Sequence, residues 1–463
     1  MVRPLITMTH VCRSWRDVLL STPSLWTRID FAASGSRQAE VFLDRSGQQL
    51  LDLRHVFKGE EGKEPFLSTV LSNTYRLRRL EIGSSLLHLE PLLEQFSRPA
   101  PKLEHLKIKR DNPLEERDMK LHATIFGGQL PKLTDLSLCG FRMELRDFNF
   151  SSLTRFALST ETHHPVQDLT SFFERCPLLE FIQLRLPYMY PFRSPTPPPR
   201  NRTLLAALKE LRFCETACAS GLLDHLILPS CTEMKLNGGF AGEESDTNGT
   251  PSARIHPSSI DHLPVMTGIA KAVAIPSSCI LSGPNGTIRF YCPDLTRDRF
   301  NAEFFTSFSP IFVMEIKELW VGEYHTSYEG TSYRPWAPTA TDVHSALAAL
   351  TRVEDLIIVN GRTGPFFSTL GSTTENSLLL PELRRLTIYV GYWGMDVSAL
   401  LQCVRARKEY SQPLGKVIIV FPKEPGDDVV KGVESVREFT RELIWRVGED
   451  PKLYWAGEGC KRW

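Results

Sequence analysis

A six-residue pattern, L-x-x-L-x-L, sets the terms on which this chain can fold. Its clearest copy reads Leu133-Thr-Asp-Leu136-Ser-Leu138. The last two apolar residues are two apart, so in an extended strand they point to one face. The first falls on the bend entering the strand and turns into the same interior. One such strand buries too little apolar surface to offset the entropy of ordering it. Copies must therefore share an interior with neighbours, which is the logic of a stacked solenoid.

The other copies are Leu77/Leu80/Ile82, Leu103/Leu106/Ile108, Leu153/Phe156/Leu158 and Leu179/Ile182/Leu184. They continue as Leu208/Leu211/Phe213, Cys231/Met234/Leu236, Ile316/Leu319/Val321, Val353/Leu356/Ile358, Leu383/Leu386/Ile388 and Leu414/Val417/Ile419. Weaker candidates lie at Leu51/Leu53 and Val273/Ile275. Spacings run mostly between 20 and 31 residues and widen after Leu236, where about 80 residues separate two clear strands. Between strands the period changes to that of a helix: Leu89, Leu92, Leu93 and Phe96; Leu169, Phe172, Phe173 and Cys176; Val343, Ala346, Leu347 and Leu350; Val397, Leu400, Leu401 and Val404. Helix followed by strand, repeated, gives parallel strands with right-handed crossovers. The expected fold is α/β, an irregular solenoid with a curved parallel sheet and outer helices.

Lys+Arg and Asp+Glu balance at 54 each, so no global field favours nucleic acid or an anionic membrane. The ten cysteines form no C-x-x-C pair, which argues against zinc ribbons and suits a reducing compartment. No signal peptide opens the chain and no apolar run reaches 18 residues, so the expected location is cytoplasmic or nuclear.

Met8, Val11, Trp15 and Val18 share a helical stripe, with Leu19 beside it. Thr22 is placed to cap a turn that has Pro23 at its first position, after which Leu25 and Trp26 fold back on the first helix. Thr27 to Phe31 alternates as a short strand, and Ala39 to Arg45 reads as helix. The run H-V-C-R-S-W-R-D-V followed by S-T-P-S-L-W-T-R-I-D-F resembles the second half of an F-box as found in fungal F-box proteins. Only Leu5 and Ile6 stand where that box has its Leu-Pro-rich opening and first helix, so its N-terminal half is missing here. A degenerate leucine-rich-repeat array is the usual companion of such a box. The resemblance implies three parts: a partial, helical F-box over residues 1–31, a leucine-rich-repeat-like solenoid over 32–424 with loops at 187–203 and 238–258, and a capping helix and tail over 425–463.

What the resemblance further implies is the substrate-recognition subunit of an SCF-type cullin–RING ubiquitin ligase. The box would hold a Skp-family adaptor, and through it the cullin scaffold, by Val11, Cys12, Trp15, Pro23, Leu25 and Trp26. The repeats would hold an unknown target protein. The alternative is a scaffold or inhibitor that binds protein through the repeats with no ligase attached. In the family's consensus the third position after the last strand leucine is Asn or Cys; here it is Ser85, Asp111, Phe141, Glu161, Pro187 and Thr216. No asparagine ladder can run between these turns, and regularity should be lower for it.

Pro191–Arg200 reads as an extended, solvated loop, with a P-x-x-P-x-R match (Pro195, Pro198, Arg200) and proline-directed sites at Ser194 and Thr196. Phe240–Pro251 is acidic and poor in large apolar residues, as a loop is. Val429, Val433, Val436, Phe439, Leu443 and Val447 form one stripe, predicting a single capping helix. No H-E-x-x-H, G-x-S-x-G, Walker or dinucleotide signature occurs. His163-His164, and Cys214, Cys218 and His225, lack the partners a metal needs. No enzymatic activity, cofactor or metal is expected.

The side chains between the strand leucines should line one face of the sheet: Glu81, Lys107, Ser137, Ala157, Gln183, Arg212 and Lys235, then Trp320, Ile357, Thr387 and Ile418. The later part is apolar. A tryptophan beside isoleucines has the composition of a protein-binding hot spot, so the target is expected at Trp320, Ile357 and Ile418.

Overall fold

The computed structural model describes residues 6–448 apart from 60–61, 85–88, 111–118, 123, 161, 163, 187–201, 215–218, 238–259, 261, 276–277, 292–314, 323–338, 349, 360–362, 375–376 and 392–393. The structure is mixed α/β, dominated by mostly parallel sheet with helices. It divides into two compact units: residues 1–231 with 257–262, and 232–256 with 263–463.

In the first unit the strands of the main sheet are β1 (Arg28–Asp30), β2 (Leu51–Phe57), β3 (Leu77–Ser84), β4 (His105–Arg110), β5 (Asp135–Cys139), β6 (Arg155–Ser159), β7 (Phe181–Arg185) and β8 (Glu210–Cys214). Each pairs in parallel with the next. The register brings the strand leucines of successive copies side by side. Leu53, Leu80, Leu106, Leu136, Phe156, Ile182 and Leu211 make one buried row, and Ile82, Ile108, Leu138, Leu158, Leu184 and Phe213 a second. Helix α1 (Arg13–Leu20) precedes β1, helices α2 (Phe31–Ser46), α3 (Lys63–Asn73), α4 (Leu89–Glu94) and α5 (Val166–Glu174) fall between strands, and α6 (Ala219–Leu223) follows β8. From β5 to β6 a single 3₁₀ turn at Leu145–Asp147 takes the place of a helix.

The repeating motif extends further upstream than L-x-x-L-x-L. In the first unit, three residues before the entry leucine stands another buried residue whose carbonyl accepts the leucine N–H. The pairs are Ala100 with Leu103 (3.1 Å), Leu130 with Leu133 (3.2 Å), Phe150 with Leu153 (3.0 Å), Cys176 with Leu179 (3.2 Å) and Leu205 with Leu208 (3.2 Å). Pro101, Pro131 and Pro177 occupy the second position of these turns, where a fixed φ is an advantage. The missing asparagine ladder has a substitute at the strand entries. The carbonyl of Glu104 accepts from Thr134 and Asp135, that of Thr134 from Thr154 and Arg155, that of Thr154 from Glu180 and Phe181, and that of Glu180 from Lys209 and Glu210. The Thr134 and Thr154 hydroxyls add a bond each to the same chain of carbonyls.

Two arginines, Arg76 buried and Arg175 half-buried, tie their layers to the preceding turns. Arg76 donates to the Ser46 hydroxyl and the Gly47 and Gln49 carbonyls at the end of α2, and Arg175 to the carbonyls of Leu145 (2.6 Å) and Phe148 (3.3 Å). These bonds satisfy carbonyls that the turns leave unpaired.

One core position carries a titratable group. His55 shares a register position with Ile82 and is packed among Phe31, Phe57 and Phe66, with ring centroids at 6.0, 4.0 and 5.1 Å. Among the described residues neither ring nitrogen has a hydrogen-bond partner. Burial pushes its pKa below the ordinary 6.5, against a smaller upward pull from Asp30. A histidine whose folded pKa is depressed stabilises the fold fully above 6.5, and that stability is lost as pH falls through the folded value. Denaturant unfolding at pH 7.5 and pH 5 should show a loss that His55→Leu largely removes; equal losses in the two proteins would refute this.

The second unit contains β9 (Glu233–Asn237), β10 (Lys271–Ile275), β11 (Ser278–Gly283), β12 (Gly286–Tyr291), β13 (Glu318–Gly322), β14 (Asp355–Val359), β15 (Arg385–Tyr389), β16 (Lys416–Phe421) and β17 (Glu442–Val447). Their spatial order is 9-12-11-10-13-14-15-16-17, parallel except for β11. The stretch expected to lack clear strands thus holds three, and the weak Val273/Ile275 copy is β10. A two-residue turn, Pro284-Asn285, reverses the chain between Gly283 and Gly286. Gly286 has φ +140°, and a Cβ there would collide with the Thr232 carbonyl, so only glycine fits. Helices α7 (Ala340–Ala348), α8 (Thr363–Leu370), α9 (Val397–Glu409) and α10 (Asp427–Ser435) complete the unit.

The C-terminal stripe does not form one helix. α10 passes into a 3₁₀ turn at Val436–Phe439, and Leu443 and Val447 belong to β17. Residues four apart share a face in a helix and also in a strand, so the stripe suits both states. The run Leu443-Ile-Trp-Arg-Val447 is rich in residues that favour a strand.

Candidate functional site

The first candidate surface is the stripe on α1 and the turn before it. Met8, Val11, Trp15 and Val18 stand 41, 63, 51 and 62% exposed, and Leu25 is exposed beside Pro23 and Cys12. Helical period alone places these residues on one face but does not say whether that face is inside. Here these residues are exposed, with only Trp15 and Val18 on α1 itself and Cys12 in extended backbone before it, while the adjoining Leu19 is buried. Trp26 differs from the other residues expected to contact a partner: it is 0% exposed. Its indole N–H donates to the Leu19 carbonyl at 2.8 Å, Phe42 packs edge-on at 4.9 Å and the Arg45 guanidinium lies 4.5 Å above the ring. Trp26 therefore fixes α1 against α2 and is not available for contact. Thr22 does not cap the following turn either; its hydroxyl donates back to Val18. The cap observed is Asp30, which accepts from the Ala32 and Ala33 amides at the start of α2.

The second surface is the sheet face that carries the residues between the core rows. In the first unit Asp30, Arg54, Glu81, Lys107, Ser137, Ala157, Gln183 and Arg212 are successive cross-strand neighbours. Ion pairs cross the strands: Arg54 with Asp30 and with Glu81 (both 3.7 Å), Arg78 with Asp52 (2.9 Å) and Arg155 with Asp135 (3.7 Å). Arg155 and Arg212 also lie 4.2 and 5.0 Å from the Phe181 ring centroid.

In the second unit the corresponding row is Lys235, Arg289, Ile280, Val273, Trp320, Ile357, Thr387, Ile418 and Ile444. Trp320, Ile357 and Ile418 thus share one row, but they are not equally available. Ile357, Val273, Ile280 and Thr387 are buried, Trp320 and Ile418 are half-buried, and Ile444 is exposed. Trp320 packs on Val273 and Ile280, its N–H donates to Glu318, and the Lys271 ammonium sits 4.6 Å from the ring centroid. The hot spot expected at this position therefore presents one edge of an indole rather than a free ring.

Next to that row Glu318 and Asp355 are cross-strand neighbours with opposite shifts. Burial works to raise Glu318, but hydrogen bonds from Lys271 and Trp320 prevail and hold it low. Burial raises Asp355, against the pull of Arg385 at 3.3 Å. Among the described residues no cluster of three His, Cys, Asp or Glu is placed to hold a metal, and no helix is long and apolar enough to cross a membrane. His163, Cys218, Pro191–Arg200 and Phe240–Pro251 lie outside the described residues. Cys214 ends β8, buried, and the His225 ring bonds the Gly221 carbonyl at 2.8 Å.

No protein-family model matches the chain, and no curated protein is significantly similar to it.

Proposed function

We propose that this chain is a substrate-recognition subunit of an SCF-type cullin–RING ubiquitin ligase, with residues 1–31 acting as a partial F-box and the strand–helix array as a leucine-rich-repeat-like solenoid. The reading is carried by one observation above all. Met8, Val11, Trp15, Val18 and Leu25 are all large, apolar and exposed, on α1 and the turns that flank it, with Trp26 fully buried beneath. Large apolar side chains gathered in solvent on one short segment mark a surface that a partner covers, and a Skp-family adaptor is the partner that the likeness of H-V-C-R-S-W-R to an F-box implies. Val11, Cys12, Trp15, Pro23 and Leu25 make the contact, and Trp26 positions them. The target protein docks on the sheet face, with the accessible edge of Trp320 and the half-buried Ile418 as anchors. Ubiquitin transfer belongs to partner subunits, and this chain supplies recognition alone.

Co-expression with a Skp-family adaptor and a cullin tests the reading. The adaptor and the cullin should both copurify with the chain. Capture of a target protein with neither adaptor nor cullin present would favour the alternative, a scaffold or inhibitor that binds through the repeats by itself.

A further inference from the structure

The chain's last described strand carries information that the ligase reading leaves unused. Among the described residues β17 pairs with β16 alone, so its other side is an edge. The strand at the start of the first unit, β1, is three residues long and reads Arg-Ile-Asp, short and charged as protected edges are. β17 has six residues, four of them large and apolar, with Ile444 36% and Val447 43% exposed. Its two charged residues, Glu442 and Arg446, stand near its ends, and the four between and after them are apolar.

The direction of its hydrogen bonds is fixed. The Glu442 N–H donates to the Gly415 carbonyl (3.1 Å) and the Gly448 N–H to the Phe421 carbonyl (3.0 Å). Even-numbered residues therefore point their backbone groups at β16, and Leu443, Trp445 and Val447 point theirs outward. The side chains alternate with the same period. Glu442, Ile444 and Arg446 share one face and Leu443, Trp445 and Val447 the other. Arg446 is exposed and has no ion pair among the described residues, and Glu442 is exposed with Lys416 at 2.9 Å.

We propose that β17 pairs antiparallel with β17 of a second copy, with Ile444 on the two-fold axis. Of the antiparallel self-pairings, this register sets opposite charges across from one another. Leu443 faces the second copy's Trp445 and exchanges both backbone bonds with it, as the outward-pointing groups require. Glu442 faces the second copy's Arg446, twice by symmetry, at non-hydrogen-bonded positions where side chains come closest. The two Ile444 side chains meet at the centre and join the apolar rows of both sheets. Shifting the centre to Leu443 or Trp445 loses both charge pairs. The interface is isologous and closed, so it yields a dimer and not a filament. A contact of this size gives a dissociation constant on the order of 10 µM.

Sedimentation equilibrium of the full chain tests the proposal. The wild type should dimerise, and Glu442→Arg or Arg446→Glu alone should weaken dimerisation by about tenfold or more, since each sets like charges opposite one another. Mixing the two variants restores opposite charges at both positions and should recover a heterodimer of near wild-type affinity. The amides of Leu443, Trp445 and Val447 should exchange more slowly as concentration rises. A wild type that stays monomeric at about 200 µM overturns the proposal. So does a dimer indifferent to both substitutions, which would place the contact elsewhere, and so do edge amides protected in a monomer, which would mean another occupant.

Discussion

Arg407→Ala should cost about 3–5 kcal/mol of stability, the range for emptying a large buried site and orphaning the groups it bonded. Arg407 is 0% exposed on the last turns of α9. Its guanidinium donates to the Leu379 and Leu380 carbonyls, both at 2.9 Å, at the turn entering β15. No carboxylate pairs with it among the described residues, its Nε has no partner, and burial pushes its pKa down. The cation is solvated by two peptide dipoles in a dry site. Leu380 lies in the left-handed region at φ +51°, which a branched side chain adopts at a cost, and the arginine holds that turn. Alanine would leave a cavity and two unsatisfied carbonyls. Arg407→Met keeps much of the volume and removes the buried charge, so it should cost less than half as much. Thermal unfolding reads the difference directly, with Tm falling by about 6–20 °C for alanine. Equal losses for Ala and Met would show that carbonyl solvation, and not packing, is the arginine's role.

The second large effect separates two tryptophans eleven positions apart in the chain. Trp26→Ala should cost about 3–5 kcal/mol, because it removes a fully buried ring, its bond to the Leu19 carbonyl and its stacking with Phe42 and Arg45. Trp15→Ala should change stability by no more than about 0.5 kcal/mol, since half of that side chain is in water. In adaptor binding the order reverses in kind. Trp15→Ala should weaken the complex about 30-fold or more with the fold intact, as loss of an aromatic anchor does. Trp26→Ala should lose binding only in proportion to lost folding. Circular dichroism and affinity measured on the same samples distinguish the two. A Trp15 variant as unstable as the Trp26 variant would mean the stripe is core.

Strand positions and the register of the two core rows were legible in the sequence because each strand has one buried face with a period of two. Slipping the register by one residue would turn every leucine to the opposite face. Patterns of that kind give the strands but not which strand lies beside which. The exchange of order at β10, β11 and β12 depends on a hairpin whose signals, Gly283, Pro284, Asn285 and Gly286, are local, whereas its consequence is long-range. The Thr134 and Thr154 ladder and the arginines at 76, 175 and 407 were also illegible, since a threonine or arginine between strands usually faces water. A buried residue three before the entry leucine in the first unit, often followed by proline, was in plain view and would have lengthened the motif. At the N-terminus the stripe was legible and its orientation was not. Trp15 and Trp26 occupy the same kind of apolar environment in sequence, and only packing against α2 decides which is inside.

Titrating the purified chain with a purified Skp-family adaptor by isothermal calorimetry is the most direct measurement of the account. The predicted result is a one-to-one complex with a dissociation constant below about 1 µM, its affinity lowered about 30-fold or more by Trp15→Ala. No heat of binding at adaptor concentrations of about 100 µM, or a complex indifferent to Trp15, would contradict it.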